Sequence, residues 1–196
     1  LRGRGGAAFP TARKWALARE AEAVEKHLVA NGGEHEPGSR KDRTLLALRP
    51  HLVIEGAVLA AFATGARTAW IYVIQDMADA IAAIDASLHE LVGAGLVGDD
   101  VLGSGFSVSV RLVRAPQTYV AGEETAAIEV IEGKKGLPRK KPPYPGDHGI
   151  FGMPTTVNNV ETLAHVPAIL RHGGAWFAEL GVGGASGVRL WSISGA

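Results

Sequence analysis

The 196-residue sequence contains no cysteine. That excludes disulfides, thiolate-bound metals and any cysteine-ligated iron–sulfur cluster held by this chain. An excess of one charge sign is also missing, because 20 basic side chains balance 20 acidic ones. Nothing therefore draws the chain as a whole to nucleic acid or to an anionic membrane. No uninterrupted apolar run of about twenty residues, as a membrane span requires, occurs. The longest candidate, HLVIEGAVLAAFATGARTAWIYVI, is broken by Glu55, Arg67 and two glycines. The N-terminus lacks the basic and apolar regions of a signal peptide, and a chain opening on LRGRGG reads as cut from something longer. An intracellular, cytoplasmic location is expected. The seven histidines follow no metal-ligand spacing and no serine sits in a nucleophile elbow, so no metal site is expected and a hydrolase has nothing to rest on.

What is present is an alternation of short β-like runs and helical patterns. HLVAN at 27–31 and AWIYVI at 69–74 are apolar or β-branched, and FSVSVRLV at 106–113 alternates as a strand does. Between them HLVIEGAVLAAFAT has helical spacing, as does DMADAIAAIDASLHELVGAG, where Asp76 is placed to cap and Gly93 and Gly95 to terminate. Further helices are predicted over about 122–132 and 158–171, separated by the irregular KKGLPRKKPPYPGDHG, and VRLWSISGA opens as a strand. Strands joined by helices of this length pair in parallel, so the predicted class is α/β, an open Rossmann-like sheet.

Ligands of open parallel sheets sit beyond the carboxyl ends of the strands. The loops expected there, GGEHEPGSRKDR and RAPQTYVAGEET, are rich in glycine and carboxylates, and the opening GRGG adds a third glycine-rich turn. GRGGAA matches G-x-G-x-x-A, which leaves both a plain tight turn and a phosphate or flavin loop open.

Read in order, LRGRGGAAFPTARKW, NGGEHEPGSRKDR, YVAGEETAAIEVIEG, PRKKPPYP and GMPTTVNNVETLAHVPAIL resemble the flavin-binding core of the NADH-binding 51 kDa (F-type) subunits of respiratory complex I. Diaphorase subunits of NAD-dependent hydrogenases and formate dehydrogenases share this module. The resemblance implies a Rossmann-like FMN-binding domain over 1–184, followed by a helical segment and, at 185–196, the first strand of a β-grasp-like domain. It also implies FMN as cofactor and NADH as substrate. The cluster that receives the electrons would lie in an absent domain or an E-type (24 kDa) partner subunit, with the location peripheral to the inner membrane through a larger complex.

The same resemblance assigns residues. Gly3, Gly5 and Gly6 would lie against the flavin, with Lys14, Asn31, Glu34, Tyr119, Gly122, Glu123, Glu124, Asn158, Asn159 and Thr162 as further cofactor-binding residues. Phe9, Glu36, Lys141 and Tyr144 would meet NADH: Glu36 at the nicotinamide, Lys141 at the phosphates or ribose, Tyr144 stacked on adenine. Glu124 and Glu36 would stand at the reacting centre. The pattern departs from the family at Gly33, where an Asp usually meets the ribityl hydroxyls, at Ala121, which replaces a Cys, and at Leu17, which replaces an aromatic. The bland readings remain beside these. Asn158 and Asn159 suit helix capping, Glu123 and Glu124 suit a first helical turn, and Phe9 and Trp15 suit core packing. The expected function is an FMN-dependent NADH dehydrogenase module; the alternative is a non-catalytic module that keeps the fold for assembly with partner subunits.

Overall fold

The computed structural model describes residues 1–195 and contains one all-parallel sheet. Its strands are β1 (His27–Gly32), β2 (Thr68–Ile74), β3 (Ser109–Ala115) and β4 (Thr155–Asn159), in spatial order β3-β2-β1-β4. From β1 the chain steps outward to β2 and β3, then returns to lay β4 on the other side of β1. The strand order therefore reverses between β1 and β4, the place where an open parallel sheet leaves a crevice.

Helix α1 (Thr11–Glu20) precedes β1, and α2 (Lys41–Leu48) with α3 (Pro50–Thr64) carries the chain from β1 to β2. Helix α4 (Ala78–Gly93) links β2 to β3, and α5 (Glu124–Ile131) lies between β3 and β4. Three short helices follow: α6 (Val160–Ala164), α7 (Val166–His172) and α8 (Gly174–Glu179). No single helix is long and apolar enough to cross a membrane.

The central strands read as continuous apolar runs because both faces are covered. Leu28, Ala30, Ile71 and Val73 pack against α3, α4 and α6, while Val29, Tyr72 and Val157 pack against Ala127, Ile128 and Ile150 on the other face. Pro50 starts α3, where its missing N–H is harmless, and Gly65 ends it at φ 82°. Within α3, an added Cβ at Gly56 would fall 2.1 Å from Leu163 O. Thus α3 and α6 meet backbone to backbone, which fixes the corner that carries the end of β4.

Several sequence expectations need correction. The helix predicted over 158–171 begins two residues later, because Asn158 and Asn159 end strand β4, and it is split into α6 and α7 just before Pro167, a residue with no N–H to continue a ladder. Strand β3 begins at Ser109, since Val108 turns back to bridge Gly98. Met77 and not Asp76 occupies the N-cap of α4, which has no side-chain cap. The loop expected from Gly32 to Arg43 ends earlier, because α2 starts at Lys41. Residues 188–195 pair with no strand among the described residues, and Ala196 lies outside them.

Candidate functional site

A cleft of about 520 Å³ opens at the carboxyl ends of β1 and β4. Five separate stretches line it: Gly3–Phe9 with Lys14, Asn31–Asp42, Gly122–Glu124, Lys141, and Val157–Asn159. A second space of about 480 Å³ shares Gly3, Arg4, Gly6, Ala8, Ser39 and Lys41 with it and runs under the 189–194 tail. The glycine turn is held from below, since Arg4 N–H donates to Thr162 Oγ1 at 2.8 Å. An added Cβ on Gly5 would stand 3.3 Å from Asn159 Cβ, and Gly6 has φ 105°, which favours glycine. Among the described residues, the N–H groups of Gly5, Gly6 and Ala7 have no hydrogen-bond partner within the protein.

The walls are braced by side chains that close on one another. Asn31 donates from Nδ2 to Gly122 O at 3.0 Å and accepts Gly33 N–H at 2.9 Å, tying the end of β1 to the 119–122 turn. Buried Tyr72 donates to Ala121 O at 2.9 Å and supports the same turn. Glu34 is buried too: it accepts the N–H groups of Asp42 and Arg43 at 3.1 and 3.0 Å and the Ser39 hydroxyl, capping α2 from the preceding loop. Glu123 caps α5 by accepting Thr125 N–H and Ala126 N–H, which leaves Glu124 as the first helical residue beside the cleft. Asn158 accepts from Trp15 Nε1 at 2.9 Å, and Asn159 caps α6 by accepting Glu161 N–H at 3.0 Å.

The cleft lining carries four cations, Arg4, Lys14, Lys41 and Lys141, against five carboxylates, Glu34, Glu36, Asp42, Glu123 and Glu124. Burial lowers the Lys14 pKa, opposed by Glu124, and its ammonium donates to Val157 O at 2.9 Å. Lys141 donates to Glu123 at 2.8 Å and to Glu124 at 2.6 Å. Burial alone would lower its pKa, yet these two bonds raise it above the ordinary lysine value. Lys41 lies between Asp42 at 2.7 Å and Glu161 at 3.0 Å. Burial pushes the Asp42 carboxyl up to about 6 in spite of Lys41. For Glu161 burial also raises, but interactions with His165, Leu190 N–H and Lys41 win and bring it down to about 2.

Of the residues singled out from sequence, Gly3, Gly5, Gly6, Phe9, Lys14, Asn31, Glu34, Glu36, Gly122, Glu123, Glu124, Lys141, Asn158 and Asn159 line the cleft. Thr162 is fully buried beneath the turn, and Tyr119 and Tyr144, 70% and 58% exposed, stand outside the lining. Phe9 is in the lining with the Arg13 guanidinium 5.9 Å from its ring centre. Sequence reasoning missed Arg4, Lys41 and Asp42. Only the apolar pair Leu45–Leu46 behind K-D-R signalled that a helix begins there and faces the site.

Residues 1–168 match the family described as the Nuo51 FMN-binding domain. The whole chain is 47% identical to the F-type subunit of NADH-quinone oxidoreductase from Rhodobacter capsulatus, over 46% of that protein's length. It is 46% identical to the corresponding NADH-quinone oxidoreductase protein of Rickettsia bellii (strain OSU 85-389), over 47% of its length. The chain thus spans about half the length of these relatives. Among solved structures, the NAD+-reducing [NiFe]-hydrogenase in the H2-reduced state has a chain that superposes with TM-score 0.86 at 42% identity, covering 95% of this chain and 31% of that one.

Proposed function

The chain belongs to the Nuo51 FMN-binding domain family, and from that premise we propose that it binds FMN between β1 and β4 and oxidises NADH there. The observation that carries this reading is convergence: five stretches scattered from Gly3 to Asn159 meet in one cleft where the strand order reverses. The residues present suit FMN. Unpartnered N–H groups at Gly5, Gly6 and Ala7 suit an anionic or carbonyl oxygen, and Arg4, Lys14 and Lys41 offset phosphate charge. A Cβ on Gly5 would stand 3.3 Å from Asn159 Cβ, a tight contact that the glycine avoids.

Bound FMN supplies the capacity to accept a hydride and to release electrons singly. The chain's own groups bind and orient. An ionised Glu36 only accepts hydrogen bonds, which suits the carboxamide NH₂ of a nicotinamide. Lys141 sits on the rim, where a dinucleotide phosphate or ribose would compete with Glu123 and Glu124 for its ammonium. Phe9 offers an apolar ring face to the lining, and exposed Tyr144, three residues beyond Lys141, is free to stack on a purine for about 1 kcal/mol. Glu124, fixed by the cap at Glu123, presents its carboxylate to the same space. Because the sequence has no cysteine, the electrons would leave to an iron–sulfur centre elsewhere, in an E-type partner or a further domain. The tail at 185–196, which exposes Val188, Trp191 and Ile193, would open that further domain, and the parent assembly would be a peripheral, cytoplasmic arm.

The test is purification with added FMN, followed by the visible spectrum before and after anaerobic NADH. A bound flavin that bleaches supports the reading; a protein that stays colourless in excess FMN and ignores NADH refutes it. The second reading, an assembly module without turnover, draws on Gly33, which offers no carboxylate to ribityl hydroxyls. Flavin that binds and does not bleach would favour it.

A further inference from the structure

We propose that Asp42 is the positioning residue of the cleft: its carboxylate holds Asn159 against the glycine turn, while its backbone N–H ties the start of α2 to the 33–36 loop. The choice of ligand rests on the FMN reading above; the geometry does not. Asp42 is 4% exposed. Its Oδ2 accepts from Asn159 Nδ2 at 2.7 Å, its Oδ1 accepts from Lys41 Nζ at 2.7 Å, and its N–H donates to Glu34 Oε2 at 3.1 Å. One residue thus joins the loop after β1, the start of α2 and the end of β4.

Asn159 shows why this matters. Its Nδ2 also reaches Asn31 O at 3.3 Å, while its Oδ1 accepts Glu161 N–H at 3.0 Å and Lys41 Nζ at 3.3 Å. A carboxamide has two donor hydrogens and two acceptor sites, so all four are engaged. With its polar atoms engaged in this way the side chain shapes the floor under Gly5, its Cβ only 3.3 Å from where a Gly5 Cβ would stand. Of the four bonds, the shortest is the one to Asp42.

The bland role for an Asp in a first helical turn is interaction with the helix dipole. Here that task falls to Glu34, whose oxygen takes the free N–H groups of α2, while the Asp42 carboxylate turns to a residue 117 positions away. An amide in its place would present a donor to either Lys41 or Asn159, both already donors, so one bond would be lost. The charged groups facing Asp42 are Lys41 on its own helix, Glu34 from the loop and, beyond Lys41, Glu161 of α6; the Arg43–Asp79 pair occupies the exposed side of α2. Burial keeps the carboxyl near 6, so it is mostly anionic at neutral pH and titratable under native conditions.

Two measurements on the 196-residue chain test this. FMN dissociation constants are measured by fluorescence quenching for wild type, Asp42→Ala, Asn159→Ala and the double variant. Asp42→Ala is expected to weaken binding about tenfold in the wild-type background and less than about twofold once Asn159 is already truncated, because the residue acts through Asn159. Equal losses in both backgrounds, or a loss under about twofold in the first, overturn the proposal. Separately, the Asn159 side-chain NH₂ resonance, assigned by its absence in Asn159→Ala, is recorded without ligand. At about pH 7, an Asn159 NH₂ resonance displaced in the isosteric Asp42→Asn variant supports the link to Asp42, and a resonance with the wild-type shift in that variant overturns it. This comparison needs no flavin, and the isosteric amide keeps it available even where Asp42→Ala does not fold. A wild-type chain that binds no FMN would refute the flavin reading alone.

Discussion

Gly33 stands where the resemblance to the family leads one to expect an aspartate, and a pair of substitutions there separates steric cost from lost chemistry. A Cβ built on Gly33 lies 3.0 Å from Asn31 Oδ1 and 3.1 Å from Tyr72 Cε1, tight against two groups that are themselves pinned. The backbone at Gly33 is not in the left-handed region, so no torsional strain adds to this. Overpacking of this kind costs about 1–3 kcal/mol, and the smaller entropy of an alanine in the unfolded chain offsets about 0.4–1 kcal/mol of it. Gly33→Ala should therefore destabilise by about 1 kcal/mol, a fall of roughly 2–4 °C in Tm for a chain of this size. Gly33→Asp meets the same contacts but adds an acceptor at the cleft. One hydrogen bond from a ribityl hydroxyl to a carboxylate is worth about 1.5–3 kcal/mol, so FMN affinity should rise about tenfold or more over Gly33→Ala. Thermal melts of the unliganded proteins and FMN titrations read the two effects separately. An alanine variant that melts at or above wild type would refute the packing argument, and equal FMN affinity for the two variants would refute the chemical one.

His27 is 3% exposed with neither ring nitrogen hydrogen-bonded, and burial lowers its pKa below 6.5 despite Glu25 at 3.9 Å. The unfolded chain then takes up a proton near pH 6.5 that the folded chain refuses, so this stability is complete above about 6.5 and lost as pH falls below it. Asp42 acts with the opposite sign below about pH 6, because its folded pKa is raised. Urea midpoints for wild type should consequently drop more than those for His27→Phe between about pH 7.5 and 6; parallel curves would show that His27 does not titrate as described. Gly56→Ala places a Cβ 2.1 Å from Leu163 O and should cost about 3 kcal/mol, a Tm fall of roughly 6–12 °C; a melt within about 2 °C of wild type contradicts the backbone contact between α3 and α6. Glu36→Ala should raise the KM for NADH about tenfold with FMN content unchanged, whereas loss of FMN at constant KM would move Glu36 to the cofactor.

Elements whose pattern comes from their own burial were legible in the sequence. β1 and β2 are covered on both faces, so LVA and IYV advertise themselves, and α3 is framed by Pro50 and Gly65. β4 was not legible, since TTVNN contains one apolar residue and is a strand because β1 offers it a ladder. α2 escaped for a related reason. Its N-terminal N–H groups are capped by Glu34, eight positions before Asp42, a separation that no local capping pattern covers.

The candidate site divides the same way. Motif reading named five stretches that the structure brings to one cleft, but a motif does not distinguish a side chain that meets a ligand from one that holds the wall. The hydrogen-bond inventory can. Asn31, Glu34 and Asn159 are engaged with the protein on both sides of their polar groups, and Thr162 is buried under Arg4 N–H. Glu123 caps its helix and pairs with Lys141. Among the described residues, Glu36 is the one cleft carboxylate with neither a side-chain hydrogen bond nor an ion pair. Glu36, Gly5, Gly6 and Ala7 are exposed, so in the unliganded chain this acceptor and these donors are met by water and are open to exchange it for a ligand's groups. Donors along the glycine turn and an acceptor on the facing loop, fixed in position by a braced frame, make a cleft preorganised for a polar ligand that carries both kinds of group.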